Sequence, residues 1–138
     1  MRVLVTGEAA LIGSHAAEYY ARCGAEVVVL DNLMCSKIFG SDKKTVEYNW
    51  NYLKRYRNIK RIKGDIRSKE DVLRAIGDGI DVVIHTAAQP GVPSSIRIPK
   101  EDFDINALGT INVLECVRKR CKKATFIYAS TNKVYGEN

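Results

Sequence analysis

The sequence has few of the features that mark membrane, secreted or metal-binding proteins. No apolar run approaches the roughly 20 residues that a membrane-spanning helix needs, and the N-terminal residues enter a strand-like pattern directly. We therefore expect neither a membrane anchor nor a signal peptide, and a cytoplasmic location. The cysteines include no C-x-x-C pair, which favours reduced thiols over a metal site or a disulfide framework. They are Cys23, Cys35, Cys116 and Cys121.

The composition fits one folded domain. The chain has 138 residues, of which 46% are hydrophobic and 28% charged, so it can bury a core and is not of the disordered class. Its net charge of +6 is unevenly distributed, since residues 37–74 hold twelve Lys or Arg and five Asp or Glu. Such a patch can attract nucleic acid. Cations are also favoured at helix C-termini and on edge strands, and we take a solvated surface as the better interpretation.

The first 31 residues predict a dinucleotide-binding unit. An apolar run at 2–6 ends at Gly7, apolar residues recur at helical spacing over 12–23, and a β-branched run at 26–30 ends at Asp31. This order is typical of the βαβ unit that places a pyrophosphate at a helix N-terminus and a carboxylate on a ribose hydroxyl. The carboxylate favours NAD over NADP. The apolar positions of this helix are Ile12, Ala16, Tyr19, Tyr20 and Cys23.

The rest of the chain continues the alternation of strands and helices. We predict helices over 45–57, 68–76 and 101–121, strands over 59–63, 81–85 and 124–130, and loops over 32–44, 86–99 and 131–138. The second helix should present Val46, Trp50, Leu53 and Tyr56 to the core. The long helix has apolar residues at Phe103, Ile105, Leu108, Ile111, Val113, Leu114 and Val117.

This alternation implies a Rossmann-type α/β fold. The five strands should form a parallel sheet in the order 3-2-1-4-5, with helices on both faces and right-handed crossovers. Ligands of such sheets bind outside the C-terminal strand ends. One crevice should therefore gather residues that are far apart in the sequence, namely Gly7, Asp31, Asp65, Ala87 and Thr131.

Several motifs resemble the extended short-chain dehydrogenases/reductases, and within them the NAD-dependent nucleotide-sugar epimerases and dehydratases. They are the turn at 6–13, G-D-I at 64–66, H-T-A-A-Q-P-G-V at 85–92, N-A-L-G-T-I-N-V-L-E at 106–115 and S-T-N-K-V-Y-G at 130–136. The sequence of the motif at 130–136 is most similar to that of CDP-tyvelose (CDP-paratose) 2-epimerases. The A-A-Q-P-G-V loop is shared with uronic-acid 4-epimerases, so the sugar nucleotide stays open.

This resemblance implies a set of site residues. The NAD contacts are expected in the first turn, at the ends of the second and third strands and in the loop after the fourth, and the catalytic Ser/Thr is expected at Thr131. The expected NAD contacts are Gly7, Ala10, Leu11, Ile12, Gly13, Asp31, Asn32, Asp65, Ile66, Ala87, Ala88 and Gln89.

Two residues weaken the first turn relative to the family pattern. Ala10 replaces the middle glycine, so that its methyl group intrudes where a pyrophosphate should approach. Glu8 stands where the family usually has glycine; at ~6 Å from a phosphate and an effective dielectric of ~20, its charge gives roughly 3 kcal/mol of repulsion. We therefore expect NAD to bind weakly.

The catalytic Y-x-x-x-K pair of the family is not found at its expected place after residue 136. The one such string in the chain begins at Tyr56, before the third strand and far from the expected crevice. We therefore expect residues 1–138 to form a single NAD(P)-binding domain that lacks the substrate domain and is inactive alone. We also expect a homo-oligomer formed through the fifth strand or the 101–121 helix.

Other interpretations remain open. The chain could be a Rossmann scaffold or regulator that no longer binds NAD, or a basic nucleotide- or RNA-binding protein. Individual residues also have structural explanations: the glycines could serve turn geometry, Asp31 and Asp65 could brace their own turns, His85 could be a buried structural histidine, and Asn106 could hold backbone.

Overall fold

A five-stranded parallel sheet forms the centre of the computed structural model, which describes residues 1–7, 9–34 and 43–131, without the side chains of residues 43–46. The strands are β1 (Arg2–Thr6), β2 (Glu26–Asp31), β3 (Ile59–Lys63), β4 (Val82–His85) and β5 (Thr125–Tyr128). Their order in the sheet is β3-β2-β1-β4-β5, which confirms the predicted order. The central strands β1 and β2 are apolar and buried, as expected for strands covered on both faces.

Helices cover both faces of the sheet, and each face has its own buried apolar cluster. The helices are α1 (Leu11–Arg22), α2 (Lys43–Tyr52) continued by a 3-10 turn (Leu53–Arg55), α3 (Lys69–Ile76), α4 (Val92–Arg97), α5 (Pro99–Phe103), a π-helical segment (Asp104–Gly109) and α6 (Thr110–Arg120). The first cluster joins the sheet to α3 and α6, and the second joins it to α1 and the end of α2.

The α1 helix packs through its small residues, which corrects the predicted apolar face. Of the predicted face, Tyr20 packs against the second cluster, whereas Ile12, Tyr19 and Cys23 are exposed. The buried residues are instead Gly13, Ser14, Ala17 and Ala21. Small side chains allow the helix backbone to lie close to the sheet, which helical periodicity in apolar residues alone does not reveal.

The α2 and α3 helices follow the predictions closely. Leu53 is fully buried, and Trp50 and Tyr56 pack against the second cluster. The α3 helix is capped as expected, since the Asp71 N–H donates to Ser68 Oγ at 3.2 Å.

The segment after β4 differs from the prediction of a loop over 86–99. It contains α4, and Pro99 begins α5, because proline fits the first turn of a helix, where its missing N–H is not needed. The helical backbone then continues to Arg120 through the π-helical segment, where a regular helix was predicted. We call residues 99–120 the long helical segment.

The long helical segment buries only part of its apolar residues. Ile105, Val113 and Val117 face the core. Four others are exposed, namely Phe103, Leu108, Ile111 and Leu114. No helix in the described part of the chain is both long enough and apolar enough to cross a membrane.

Several predictions fall on residues that lie outside the described ones. These are Glu8, Cys35, most of the 32–44 connection, the side chain of Val46 and residues 132–138. Of the remaining cysteines, Cys116 and Cys121 are buried free thiols, as expected, whereas Cys23 is an exposed one.

Candidate functional site

A cleft opens at the C-terminal ends of β1, β2, β3 and β4, where the fold predicts a ligand site. Residues from four separate loops meet there, and many of them are glycine or alanine. The cleft is lined by Gly7, Ala9, Ala10, Leu30, Asp31, Asn32, Met34, Gly64, Asp65, Ile66, Thr86, Ala87, Ala88 and Ile105.

Gly7 forms the floor between β1 and the loop after β4. Its φ is +76°, and an added Cβ would lie 2.5 Å from the backbone nitrogen of Ala87. The Gly7 N–H donates to the Leu30 carbonyl at 3.0 Å. Glycine is therefore required here by the backbone conformation and by the approach of a second chain segment.

The N-terminus of α1 points its first N–H groups toward the cleft side of the sheet. Ala10, at the N-cap, is extended and exposed, and its methyl group offers no capping acceptor. The first four N–H groups of a helix have no partner within the helix, so this end suits an anion. Leu11 and Ile12 are exposed in the first turn and Gly13 is buried, but none of the three lines the cleft.

Asp31, at the end of β2, joins the loop after β1 to the loop after β2. Its Oδ2 accepts from the Ala9 N–H at 2.9 Å, and its Oδ1 accepts from the Leu33 N–H at 2.7 Å. Burial raises the pKa of Asp31 above its ordinary value, against these two hydrogen bonds, and the nearby charge of Asp65 raises it further. A carboxylate has about four acceptor positions, so Asp31 can accept from a further donor such as a ribose hydroxyl.

Asp65 lies in the turn after β3, the strand that pairs with β2 beside Asp31. Arg67 donates to it from the guanidinium and from the backbone N–H, and Asn32 donates from its side-chain amide at 2.9 Å. Burial raises the pKa of Asp65, but these hydrogen bonds outweigh burial and lower it below the ordinary value. Arg67 also forms an ion pair with Glu101 at 3.4 Å.

The loop after β4 places Ala87 and Ala88 at the cleft but turns Gln89 inward. Gln89 is only 4% exposed, and its amide bonds Gly91, Ser95 and Asp102. Gln89 therefore joins the loop after β4 to α4 and α5 and is not part of the cleft lining.

Asn106 holds the same loop from the long helical segment. Its Oδ1 accepts from the Gln89 N–H at 2.8 Å, and its Nδ2 donates to the Gln89 carbonyl at 3.1 Å. The side-chain amide thus satisfies both polar groups of one backbone residue. This agrees with the interpretation that Asn106 holds backbone.

His85 links the sheet to the long helical segment and is only 1% exposed. Its Nδ1 lies 2.6 Å from Thr6 Oγ1, and its Nε2 lies 3.0 Å from Thr110 Oγ1. Because the Thr110 hydroxyl donates to the Asn106 carbonyl at 2.7 Å, the network assigns the ring proton to Nε2 and makes Nδ1 the acceptor from Thr6. Burial lowers the pKa of His85 to about 4, so the ring is neutral at pH 7.

The long helical segment also supports the turn that carries Asp65. The buried Asn112 donates to the carbonyls of Ile66 at 3.3 Å and Arg67 at 2.9 Å. An added Cβ on Gly109 would meet Ile66 Cδ1 at 2.6 Å. The N-x-x-G-T-x-N motif therefore has a structural role, because its residues hold the loops that follow β3 and β4.

Thr131 and Tyr56 lie away from the cleft. Thr131 is exposed after β5 and does not line the cleft. Tyr56 precedes β3, at the opposite end of the strands, and its hydroxyl donates to Glu18 Oε1 at 2.5 Å. This hydrogen bond raises the pKa of Tyr56 to about 12, the reverse of what a tyrosine that gives up its proton needs.

The structure thus brings together eight of the predicted site residues and separates five. The eight that line the cleft are Gly7, Ala10, Asp31, Asn32, Asp65, Ile66, Ala87 and Ala88; the five that do not are Leu11, Ile12, Gly13, Gln89 and Thr131. The sequence interpretation missed Arg67, which follows the G-D-I motif directly. The available signal was the spacing, because a basic residue two positions after Asp65 can form an ion pair with it.

Comparisons with known proteins agree with this geometry. Residues 3–138 match the model of the NAD dependent epimerase/dehydratase family. The chain is 38% identical to CDP-paratose 2-epimerase of Salmonella typhi over 99% of this chain and 38% of that protein. UDP-glucose 4-epimerase of Thermus thermophilus, solved in complex with NAD, is 37% identical with a TM-score of 0.75, over 95% of this chain and 38% of that one.

A third relative carries both a dinucleotide and a sugar nucleotide. UDP-glucose-4-epimerase from Stenotrophomonas maltophila, solved with NAD and formylated UDP-arabinopyranose, is 31% identical with a TM-score of 0.77 over 100% of this chain and 39% of that one. The chain spans about two fifths of the length of these relatives. Because the family match extends over nearly all of its residues, the chain belongs to the NAD dependent epimerase/dehydratase family.

Proposed function

We propose that residues 1–138 form the NAD-binding domain of a nucleotide-sugar epimerase or dehydratase. The observation that carries this proposal is the cleft in which Gly7, Asp31, the 65–66 turn and Ala87 meet at one edge of a parallel sheet. The relatives that were solved with NAD support the same cofactor.

The residues of the cleft fit a dinucleotide chemically. An uncapped helix N-terminus at Ala10 suits a pyrophosphate, and Asp31 retains acceptor positions for a ribose hydroxyl. The small side chains of Ala87 and Ala88 leave room for the nicotinamide half. NAD supplies hydride acceptance and return when bound, while the residues of this chain bind and orient it.

Calorimetric titration with NAD tests the proposal directly. We expect weak binding in the present chain, and replacing Glu8 and Ala10 by glycine should tighten it by on the order of 1–3 kcal/mol, through removed repulsion and closer phosphate approach. The backbone at Ala10 has a φ of −84°, so this change does not depend on strain. Absence of NAD binding in both forms would favour a scaffold or regulator without cofactor.

We further propose that the isolated chain does not turn over sugar nucleotides. Proton abstraction from a sugar hydroxyl needs a positioned base, and the one Y-x-x-x-K tyrosine of the chain, Tyr56, lies at the wrong end of the strands. Incubation with CDP- and UDP-sugars plus NAD should yield no epimer or dehydrated product. Turnover that is abolished by Tyr56→Phe would contradict this proposal.

Self-association through the long helical segment is also proposed. Leu108, Ile111 and Leu114 recur at three-residue spacing and are exposed, and β5 exposes Ile127 beside its unpaired edge in the described sheet. Such apolar surface favours contact with a second copy. Light scattering should show a dimer or larger oligomer.

Introducing positive charges into this apolar surface locates the contact. Ile111→Lys combined with Leu114→Lys should weaken association, because it places two cations in the apolar contact. Tyr19→Lys, on the exposed side of α1, is the matched control and should leave the oligomer intact. A monomeric parent chain at micromolar concentration would contradict the proposal.

A further inference from the structure

We propose that Asn49 of α2 is a positioning residue for the pyrophosphate of a dinucleotide, because it turns the Ala9 carbonyl toward α2 and leaves the N-terminus of α1 to its N–H groups. Asn49 Nδ2 donates to the Ala9 carbonyl oxygen at 3.2 Å. Asn49 does not line the cleft, whereas Ala9 does, so Asn49 acts through the Ala9 backbone. This role rests on the proposed dinucleotide function.

Both backbone polar groups of Ala9 are held by side chains. Its N–H donates to Asp31 Oδ2 at 2.9 Å, and its carbonyl accepts from Asn49. The Ala9 carbonyl lies outside α1, because the N-cap is Ala10, whose carbonyl accepts from the Ser14 N–H at 3.1 Å. Ala9 is only 6% exposed. A buried carbonyl requires a donor, and Asn49 supplies it.

The direction of this carbonyl decides whether the turn suits an anion. In a trans peptide the Ala9 oxygen and the Ala10 N–H point to opposite sides. The Ala10 N–H donates to the Gly7 carbonyl at 3.4 Å, which is long for a hydrogen bond and holds the peptide only weakly. Rotation of the peptide would bring a partially negative oxygen toward the helix N-terminus, where N–H groups otherwise attract a phosphate.

Asn49 is itself fixed to the sheet by its neighbours in α2. Trp50 packs against the second cluster, and its carbonyl accepts from Arg61 Nη1 of β3 at 2.8 Å. Leu53, about one turn farther along, is fully buried. The Asn49 amide is therefore in place before a ligand binds, which is what a positioning residue requires.

A second contact between the same two helices provides one control. The Tyr52 hydroxyl donates to Glu18 Oε1 at 3.0 Å, past the middle of α1. Tyr52→Phe therefore removes a hydrogen bond between α1 and α2 and leaves the turn intact. Asn51→Leu is the other control, because it makes the same substitution as Asn49→Leu on the exposed surface of α2.

Ligands with and without phosphates separate positioning from general support of the fold. NMR-detected titration gives the affinities for NAD, ADP and adenosine, of which adenosine keeps the base and ribose but has no phosphate. In Asn49→Leu we expect NAD and ADP to bind on the order of tenfold more weakly, because the Ala9 carbonyl loses its donor. Adenosine should stay within about threefold of its parent affinity. Both controls should retain the parent affinity for all three ligands.

Three results of these titrations would overturn the role of Asn49. They are an NAD affinity in Asn49→Leu within about threefold of the parent, an equal loss of affinity for ADP and adenosine, and the same loss in Tyr52→Phe. A parent chain that binds neither NAD nor ADP refutes the proposed function instead.

Hydrogen exchange of side-chain amides tests the contact in the free parent chain. The Asn49 amide protons should exchange with water on the order of tenfold more slowly than those of the exposed Asn51, because a hydrogen bond protects them. Equal exchange at the two asparagines overturns the role of Asn49. This measurement needs neither a bound ligand nor a folded Asn49→Leu variant.

Discussion

The four loops of the cleft are held in two different ways. The first half of these loops, those after β1 and β2, is held mainly by contacts within the first 33 residues: Gly7 donates to Leu30, and Asp31 accepts from the N–H groups of Ala9 and Leu33. The second half, the loops after β3 and β4, is held by side chains of another element, because Asn106 and Asn112 of the long helical segment bond the backbones of both loops.

This difference explains why the geometry of only one half can be recognised from a short, continuous stretch of sequence. The first half folds within 31 residues, and its turn, helix and acid can be recognised together. In the second half, the long helical segment must pack beside the loops before its asparagine side chains can fix their shape. The predictions below test this contrast, from the largest expected effect to the smallest.

The largest effect is expected from Gly7→Ala, at the point where the first half meets the loop after β4. The new Cβ would overlap the backbone of Ala87 at 2.5 Å in a left-handed conformation, so we expect a loss of about 3–5 kcal/mol in the free energy of unfolding. Gly24→Ala is the matched control, because Gly24 has a similar φ of +81° with no neighbour within 4 Å. It should cost about 1–2 kcal/mol in chemical denaturation. Equal costs would show that the approach of Ala87 is unimportant.

The next effect concerns His85, which joins the two halves. Its folded pKa is about 4 and its ordinary value is 6.5, so between these values the unfolded chain binds more protons than the folded one. Stability from this group is complete above pH 6.5 and is lost as the pH falls to 4, by about 3 kcal/mol in total.

The measurement is chemical denaturation from pH 7 to pH 4, with NMR titration of the histidine rings. His85→Gln should flatten this part of the pH dependence, whereas His15→Gln, which changes the exposed histidine, should retain it. A His85 ring that titrates near pH 6.5 in the folded chain would refute the assignment even if the variant does not fold.

A smaller loss is expected in the second half, from Asn112→Leu. This change keeps the side chain's size but leaves the carbonyls of Ile66 and Arg67 without their buried donor, at a cost of about 2 kcal/mol. Asn51→Leu, on the exposed surface of α2, should stay within about 0.5 kcal/mol of the parent. If the two asparagines cost the same, the long helical segment does not hold this half.

No change in NAD affinity is expected from Tyr56→Phe. Its hydroxyl bonds Glu18 at the far end of the strands, so calorimetry should give the parent affinity. Asp31→Ala is the positive control and should weaken binding, because it removes the ribose acceptor and the support of Ala9 and Leu33. A loss of NAD affinity in Tyr56→Phe would show that the Y-x-x-x-K pattern at 56–60 contributes to the NAD site.

The strands, their order and the general position of the cleft were determined by the sequence alone. Period-two and period-3.6 patterns are local, and alternation of strands and helices permits few parallel topologies. The strand bounds predicted for β1 and β3 agree with the structure, and β2 and β4 agree within one residue. Gly7, Asp31 and Asp65 could be identified because each lies at or just after the end of such a strand.

Only the tertiary structure decided how those residues are used. The π-helical segment, the inward Gln89 and the small-residue face of α1 depend on how closely elements pack, which apolar periodicity does not encode. The hydrogen bonds to the Asp65 carboxylate come in part from Asn32, which is 33 positions from Asp65. Arg67, which also bonds this carboxylate, is held in turn by Glu101, which is 34 positions from Arg67. Hydrogen bonds between distant residues form only after the core has fixed their backbones, so no local sequence pattern predicts them.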